Sequence, residues 1–203
     1  KTGYTFILYS PASEDRAVDL FNRLKLTGNP TFKHHRLEGG QGTLWEQTQL
    51  CKTANSDNLD VFFAPNYSAP LMLQIPFVLV LHDVSYFSRP DWFNWREGLR
   101  RRLLVAKSAR LAHTVLTLSQ FSREEIVNHL NINSDRIIVT PLGTSGSRVG
   151  HIDSKDSHLV LFAGSCFTRR RLPDLIRAFA IVQSQESRAR LSIVGDNRTY
   201  PHV

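Results

Sequence analysis

The run Leu161-Phe-Ala-Gly-Ser-Cys-Phe-Thr-Arg-Arg-Arg-Leu-Pro-Asp174 holds the strongest local chemistry in the chain. An apolar strand ends at Gly164, where the missing Cβ lets a ligand or backbone approach closely. Arg169, Arg170 and Arg171 then stand directly before an expected helix start. Free N–H groups and partial positive charge at a helix N-terminus attract anions, and guanidinium groups add bidentate grips on phosphate oxygens. The pattern admits an anion site; a solvated basic turn competes with it, because runs of like charge are commonly just exposed. A second constellation is Val80-Leu81-His82-Asp83 at the end of another apolar run. His82 could contact a hydroxyl or a phosphate and Asp83 could orient its ring, although such a pair also serves simply to cap a strand. Asn66 and Tyr67 follow a third strand end and are candidates to line a cleft. Ser119 and Ser122 put hydroxyls at a strand-to-helix junction, where Ser122 reads as the helix cap, with Glu125 completing a capping box, and Ser119 as a cleft-lining candidate.

The elements that must position these residues alternate. Strands are expected at Thr5 to Tyr9, Thr31 to Leu37, Leu59 to Ala64, Pro76 to Leu81, Thr114 to Leu118 and Arg136 to Thr140. Helices are expected over Ala12 to Leu26, Thr43 to Ala54, Trp92 to Ala112 (broken near Gly98) and Ser122 to Leu130. The near-continuous apolar strands read as covered by helices on both faces. The alternation predicts a doubly wound α/β domain, whose ligands lie beyond the carboxyl ends of the strands. From Pro141 to Ser157 the periodicity lapses into Gly and Ser. It restarts with a strand over His158 to Ala163, a helix from Leu172 to about Gln185 and a strand over Ala189 to Val194. The expected organisation is a Rossmann-like domain over 1–143, a linker over 144–157 and the start of a second domain over 158–203. One βαβ unit cannot bury its own faces, so this second domain is expected to be incomplete.

Composition bounds the partners. The chain has 203 residues, 41% hydrophobic and 21% charged, as in ordinary globular proteins, and no apolar run reaches membrane-spanning length. Two widely separated cysteines and no signal-peptide h-region point to reduced thiols and a cytoplasmic setting. The net charge of +7 suits anionic partners. Nucleic acid is not expected, since neither a binding motif nor an aromatic stacking platform is present. Arg96, Arg100, Arg101, Arg102, Lys107 and Arg110 decorate the long helix, with Leu99, Leu103 and Ala106 assigned to its core side. That face could meet an anionic membrane, but with its bulky apolar residues turned inward it reads rather as solvated. A Walker loop, a Gly-x-Gly-x-x-Gly fingerprint and a nucleophile elbow are absent. His34 and His35 are adjacent and point to opposite faces of a strand, so they do not share a metal.

Taken in order, five segments resemble the retaining GT-B glycosyltransferases of family 4. They are Asp60-Val-Phe-Phe-Ala-Pro-Asn-Tyr67, His82-Asp-Val-Ser-Tyr-Phe-Ser-Arg-Pro-Asp-Trp-Phe93, Val115-Leu-Thr-Leu-Ser-Gln-Phe-Ser-Arg-Glu-Glu-Ile126, Ile138-Val-Thr-Pro-Leu-Gly143 and Gly164-Ser-Cys-Phe-Thr-Arg-Arg-Arg-Leu-Pro-Asp-Leu-Ile-Arg-Ala-Phe179. The resemblance implies two Rossmann-like lobes, an acceptor lobe followed by a donor lobe. It implies transfer of a hexosyl group from a nucleotide sugar to a glycan or lipid-linked acceptor with retention of configuration, and no metal or other cofactor. By position Arg169 and Arg170 would grip the donor diphosphate, Gly164 would allow its approach, and His82 would face the reacting centre. Arg170 replaces the usual Lys and Arg171 the usual Asn or Gly, which alters contact geometry. The family's N-terminal strand and glycine-rich loop are expected before Lys1 and its Glu-x7-Glu segment beyond Val203. These 203 residues alone are therefore expected not to turn over. A nucleotide- or sugar-phosphate-binding module without transfer is the alternative.

Overall fold

A computed structural model describes residues 3–11, 13–143 and 158–196; the expected linker over 144–157 lies outside them. The chain divides into two compact units, Lys1–Gly143 and Thr144–Val203, and every sheet in both is parallel. The expected α/β class is what the chain adopts.

In the first unit β1 (Phe6–Ser10) runs through α1 (Glu14–Arg23) to β2 (Phe32–Arg36), and the two strands pair from Phe6 with Phe32 to Ser10 with Arg36. Then come α2 (Thr43–Trp45), a π-helical segment Glu46–Leu50 and α3 (Cys51–Ser56). The helix expected from Thr43 to Ala54 is present as one continuous helical run over 43–56, with a wider π turn inside it that begins at Glu46. A four-stranded sheet follows in chain order: β3 (Phe62–Ala64), β4 (Phe77–Val80), β5 (Thr114–Thr117) and β6 (Ile137–Val139). The β3–β4 connection is an irregular loop. Between β4 and β5 lie the one-turn α4 (Ser85–Ser88), a 3-10 turn at Pro90–Trp92 and α5 (Trp95–Leu111), and between β5 and β6 lies α6 (Gln120–Leu130). The smaller sheet reaches the larger through Tyr9, whose ring packs 6.5 Å from that of Phe62. The Tyr9 hydroxyl donates to Asp57 at 2.6 Å, and His35 contacts the same carboxylate oxygen at 3.0 Å. His34 meets Ser10 instead, so the adjacent histidines do serve different surroundings.

The core forms where apolar residues of β4 and β5 meet α5 and α6: Leu79, Leu81, Val115, Ile126, Ala109 and Leu130 are all essentially inaccessible to solvent. The flanking strands depart from the expectation of cover on both faces, since Phe63 of β3 and Ile138 of β6 are exposed. Helix α5 departs twice. It runs unbroken through Gly98, which is buried and faces the Cβ of Phe93, and its start is fixed by Asn94, whose side chain accepts from the Arg96 N–H. Its inward face is made by Gly98, Val105, Ser108 and Ala109, while Leu99 and Leu103 point to solvent at 45% and 56% exposure. Small residues on the inward side bring the helix close to the sheet, and the bulkier leucines lie about a quarter-turn away. Helix α6 starts earlier than the capping box predicted. Ser119 is its N-cap and accepts from the Ser122 N–H, leaving Ser122 in the first turn and largely buried.

The second unit is β7 (Leu159–Ala163), a 3-10 turn at Thr168–Arg170, α7 (Leu172–Gln185) and β8 (Arg190–Val194), with β7 and β8 in parallel register. Pro173 occupies the first turn of α7, where its missing N–H costs nothing.

Candidate functional site

Parallel strands carry their side chains past their carboxyl ends into loops, and three neighbouring ends converge in the first unit. After β3 the chain turns at Asn66 and Tyr67, and the Tyr67 N–H is held by the Val80 carbonyl at the end of β4. After β4 come His82 and Asp83, and after β5 comes Ser119. Tyr67 adopts a left-handed conformation at φ 59°, a strained choice for an aromatic residue. Its side chain shows why the position is held: the hydroxyl donates to Asp83 Oδ2 at 2.7 Å, and the ring meets His82 edge-on at 5.4 Å. The other oxygen of Asp83 accepts from the Ser85 N–H at 2.8 Å and the Ser85 hydroxyl at 2.6 Å. Asp83 therefore fixes Tyr67 and the start of α4 together, and acts on His82 through the Tyr67 ring. Burial and the Asp83 carboxylate push the Tyr67 phenol well above its ordinary range.

His82 is also held by its backbone. Thr117, fully buried, donates to the Leu81 carbonyl at 2.7 Å, and Ser122 reaches the His82 carbonyl at 3.3 Å. Ser119 contacts Ser122 and so lies one residue removed from His82. The structure thus brings Tyr67, His82 and Asp83 into contact, sets Asn66 beside them and connects Ser119 through a hydroxyl.

Beside this cluster a cavity of about 370 Å³ opens between the β3 turn, α2, the π segment and α5, and Asn66, Tyr67, Glu46, Trp45, Tyr86 and Arg101 are among the residues that line it. Glu46 Oε2 accepts from the Ser68 hydroxyl and Oε1 from the Gln47 amide, each at 2.9 Å. Burial raises its carboxyl above the ordinary value against the opposing pull of those two bonds. Arg101 bonds the Tyr86 hydroxyl and pairs with Glu97 at 2.6 Å. The Trp45 indole nitrogen is buried with no hydrogen-bond acceptor among the described residues, which costs about 1–3 kcal/mol while it stays unpaired. None of Trp45, Glu46 and Tyr86 stood out in the sequence as a site residue. Glu46 in Leu-Trp-Glu-Gln looks like any solvated helical carboxylate, and only its contact with Ser68, 22 residues on, shows otherwise.

In the second unit Arg169, Arg170 and Arg171 are all exposed, but they do not act as one block before a helix. Arg171 is the N-cap residue of α7, in left-handed conformation, and its guanidinium is engaged by Asp174, which also pairs with Arg177 at 2.8 Å. Arg169 lies over the Phe167 ring at 4.4 Å. Among the described residues Arg170 makes no ion pair. The expected close approach at Gly164 also shifts by one strand. A Cβ on Gly164 would meet nothing within 4 Å, whereas one on Gly195 would fall 1.9 Å from the Gly164 carbonyl oxygen. Gly164 needs to be glycine for its φ of 150°, and the space above it is open.

Residues 1–148 match the family model described as Glycosyltransferase Family 4. O-antigen chain mannosyltransferase B of Escherichia coli is 24% identical over 145 residues, which cover 66% of this chain and 38% of that protein. The chain thus spans less than half the length of this curated relative. The family match takes in 148 of the 203 residues, including every strand end that builds the His82 cluster, and the chain belongs to glycosyltransferase family 4.

Proposed function

We propose that the intact protein transfers a hexosyl group from a nucleotide-sugar donor to a glycan or lipid-linked acceptor, with retention of configuration. The observation that carries the reading is the clamp on His82: ring packing from Tyr67 and hydroxyls on two consecutive carbonyls hold this histidine at the carboxyl end of a central strand. A group so fixed can hydrogen-bond a reacting sugar without reorganising during the reaction. Departure of a nucleoside diphosphate builds negative charge. Exposed Arg169 and Arg170, five and six residues after Gly164 in the chain, supply donors suited to phosphate oxygens, in the role a divalent metal fills elsewhere. The relative's name favours a mannosyl group and polysaccharide assembly.

Two substitutions in the intact protein test this. Arg170→Ala is expected to weaken nucleotide-sugar binding and leave acceptor affinity unchanged, and unaltered donor affinity by calorimetry would remove the clamp. His82→Ala is expected to lower kcat roughly 10²-fold or more, and full turnover would refute its role. The anomeric configuration of the product, read by NMR, decides retention.

The same reading includes peripheral contact with an anionic membrane on the cytoplasmic side. In support, α5 exposes Trp95, Leu99 and Leu103 along one stripe, with Arg96, Arg100, Lys107 and Arg110 also exposed. Aromatic and aliphatic side chains interleaved with cations suit an anionic lipid surface. Replacing Leu99 and Leu103 by Asp is expected to abolish co-sedimentation with phosphatidylglycerol vesicles. Retained binding would dismiss the surface.

A further inference from the structure

We infer that the cavity beside Tyr67 is a subsite for a neutral sugar ring of the acceptor, with Glu46 as the residue that reads a pair of its hydroxyls. The inference rests on the transfer reading for the word acceptor, but its physical case is independent of it. At about 370 Å³ the cavity lies at the small end of small-molecule sites, a size suited to one ring rather than a whole nucleotide sugar.

Glu46 is arranged for a task that the fold does not explain. Its two oxygens are fixed by Ser68 and Gln47. Gln47 is itself locked, donating to the Ala69 carbonyl and accepting from the Leu71 N–H. An ionised carboxylate accepts about four hydrogen bonds, so each oxygen keeps room for one more. Among the described residues no cation pairs with Glu46. The neighbouring Arg100 and Arg101 are engaged by Thr43 and by Glu97 with Tyr86. A partly buried carboxylate without a counter-ion is costly to keep, and one so rigidly held is preorganised for something outside the protein.

Two further observations mark the same wall. The π segment begins at Glu46 itself, and such departures from α-helical geometry cluster at functional sites. The indole of Trp45, next to it in the chain, forms part of the same wall.

The combination selects the ligand class. Neighbouring hydroxyls on a pyranose can donate together to one carboxylate, and the apolar face of a sugar ring can pack against an aromatic wall such as Trp45.

The test follows the indole resonances of Trp45, Trp92 and Trp95 in ¹H–¹⁵N spectra of the intact protein. The probes are methyl α-mannoside, methyl α-glucoside and methyl α-galactoside, titrated into the high-millimolar range. At least one glycoside is expected to shift the Trp45 signal saturably and leave those of Trp92 and Trp95 in place. Glu46→Gln is expected to weaken that binding roughly tenfold, the loss of a charged acceptor. Asn66→Ala, on the exposed turn across the cavity, is expected to weaken it without disturbing the fold, and provides the test should Glu46→Gln fail to fold. No shift of Trp45 with any glycoside, or wild-type affinity in the variants, overturns the subsite. Assayed alongside, transfer from nucleotide sugars separates the two ideas. Transfer without glycoside binding sinks only the subsite, and Glu46-dependent binding without transfer sinks only the enzymatic reading.

Discussion

Thr117→Val tests whether the strand end, rather than the histidine ring alone, sets the site. The exchange keeps the side chain's shape and removes one hydroxyl. That hydroxyl sits at 0% exposure and donates to the Leu81 carbonyl at 2.7 Å. Losing the donor leaves a carbonyl in a buried setting, at a cost of about 1–3 kcal/mol, and the added methyl returns roughly 0.8 kcal/mol through burial. A net loss of about 0.2–2 kcal/mol, centred near 1, corresponds to a fall in Tm of roughly 1–8 °C for a domain of this size. The catalytic consequence is separate. The freed carbonyl belongs to the residue immediately before His82, and loosening a reacting group by a fraction of an ångström is expected to lower kcat about tenfold. Thr114→Val makes the same exchange at the opposite end of β5 and is expected to leave kcat unchanged. Thermal unfolding and steady-state kinetics of the intact protein measure both effects. A destabilised Thr117→Val protein with wild-type kcat would show that His82 does not depend on this anchor, and an undisturbed Tm would refute the energetic argument itself.

Glu46→Gln is expected to leave Tm at pH 8 unchanged or slightly higher. Burial raises the Glu46 carboxyl, so any stability linked to it is complete only below the ordinary carboxyl pKa and is lost as pH rises through the folded value; a large fall in Tm would contradict that sign. The phenols of Tyr9 and Tyr67 are raised by burial and by hydrogen bonds to Asp57 and Asp83. Their contribution is whole below about pH 10 and declines above it, so urea midpoints of the wild type should converge on those of a Tyr9→Phe, Tyr67→Phe double variant as pH rises from 9 to about 11.5. A constant gap would refute this. Gly195→Ala is expected to disrupt the pairing of β7 with β8, because its Cβ falls 1.9 Å from the Gly164 carbonyl oxygen, whereas Gly164→Ala bears only backbone strain of about 1–3 kcal/mol. Hydrogen exchange in β7 and β8 distinguishes them, and equal effects would discard the steric argument.

The strands and the longer helices were legible because their signals are local: β-branched and aromatic runs, and a Pro in the first turn of α7. The orientation of α5 was not. Leu99, Leu103 and Ala106 form an apolar stripe, and the usual inference sends such a stripe inward; Ala106 does pack against the core, but Leu99 and Leu103 do not. Gly98, Val105, Ser108 and Ala109 form the buried stripe instead, because close approach to the sheet favours small side chains over large ones. Hydrophobicity ranks leucine first, whereas packing distance here selects glycine, serine and alanine. The cap of α6 turned on a similarly fine choice. Ser119 and Ser122 are both plausible caps by type, and Ser122 is instead drawn inward by the His82 carbonyl, 40 residues away in the chain.

The same division between local and distant information runs through the site. Parallel-sheet topology alone places His82, Asp83, Asn66, Tyr67 and Ser119 beyond strand ends, so their neighbourhood follows from the order of strands. What each side chain does depends on partners that no spacing rule connects. Asp83 reads from the sequence as an orienter of the His82 ring; in the structure its oxygens accept from Tyr67 and Ser85, and the Tyr67 ring in turn meets His82 edge-on. Arg171 looked like part of an anion grip, and a helix-start aspartate, Asp174, takes it. In both cases a charge written near a strand end is answered by a close neighbour within the chain. A charge left unanswered is therefore the more informative signal. By that criterion Glu46 and Arg170, neither of which makes an ion pair among the described residues, are the groups whose partners should be sought in the substrates.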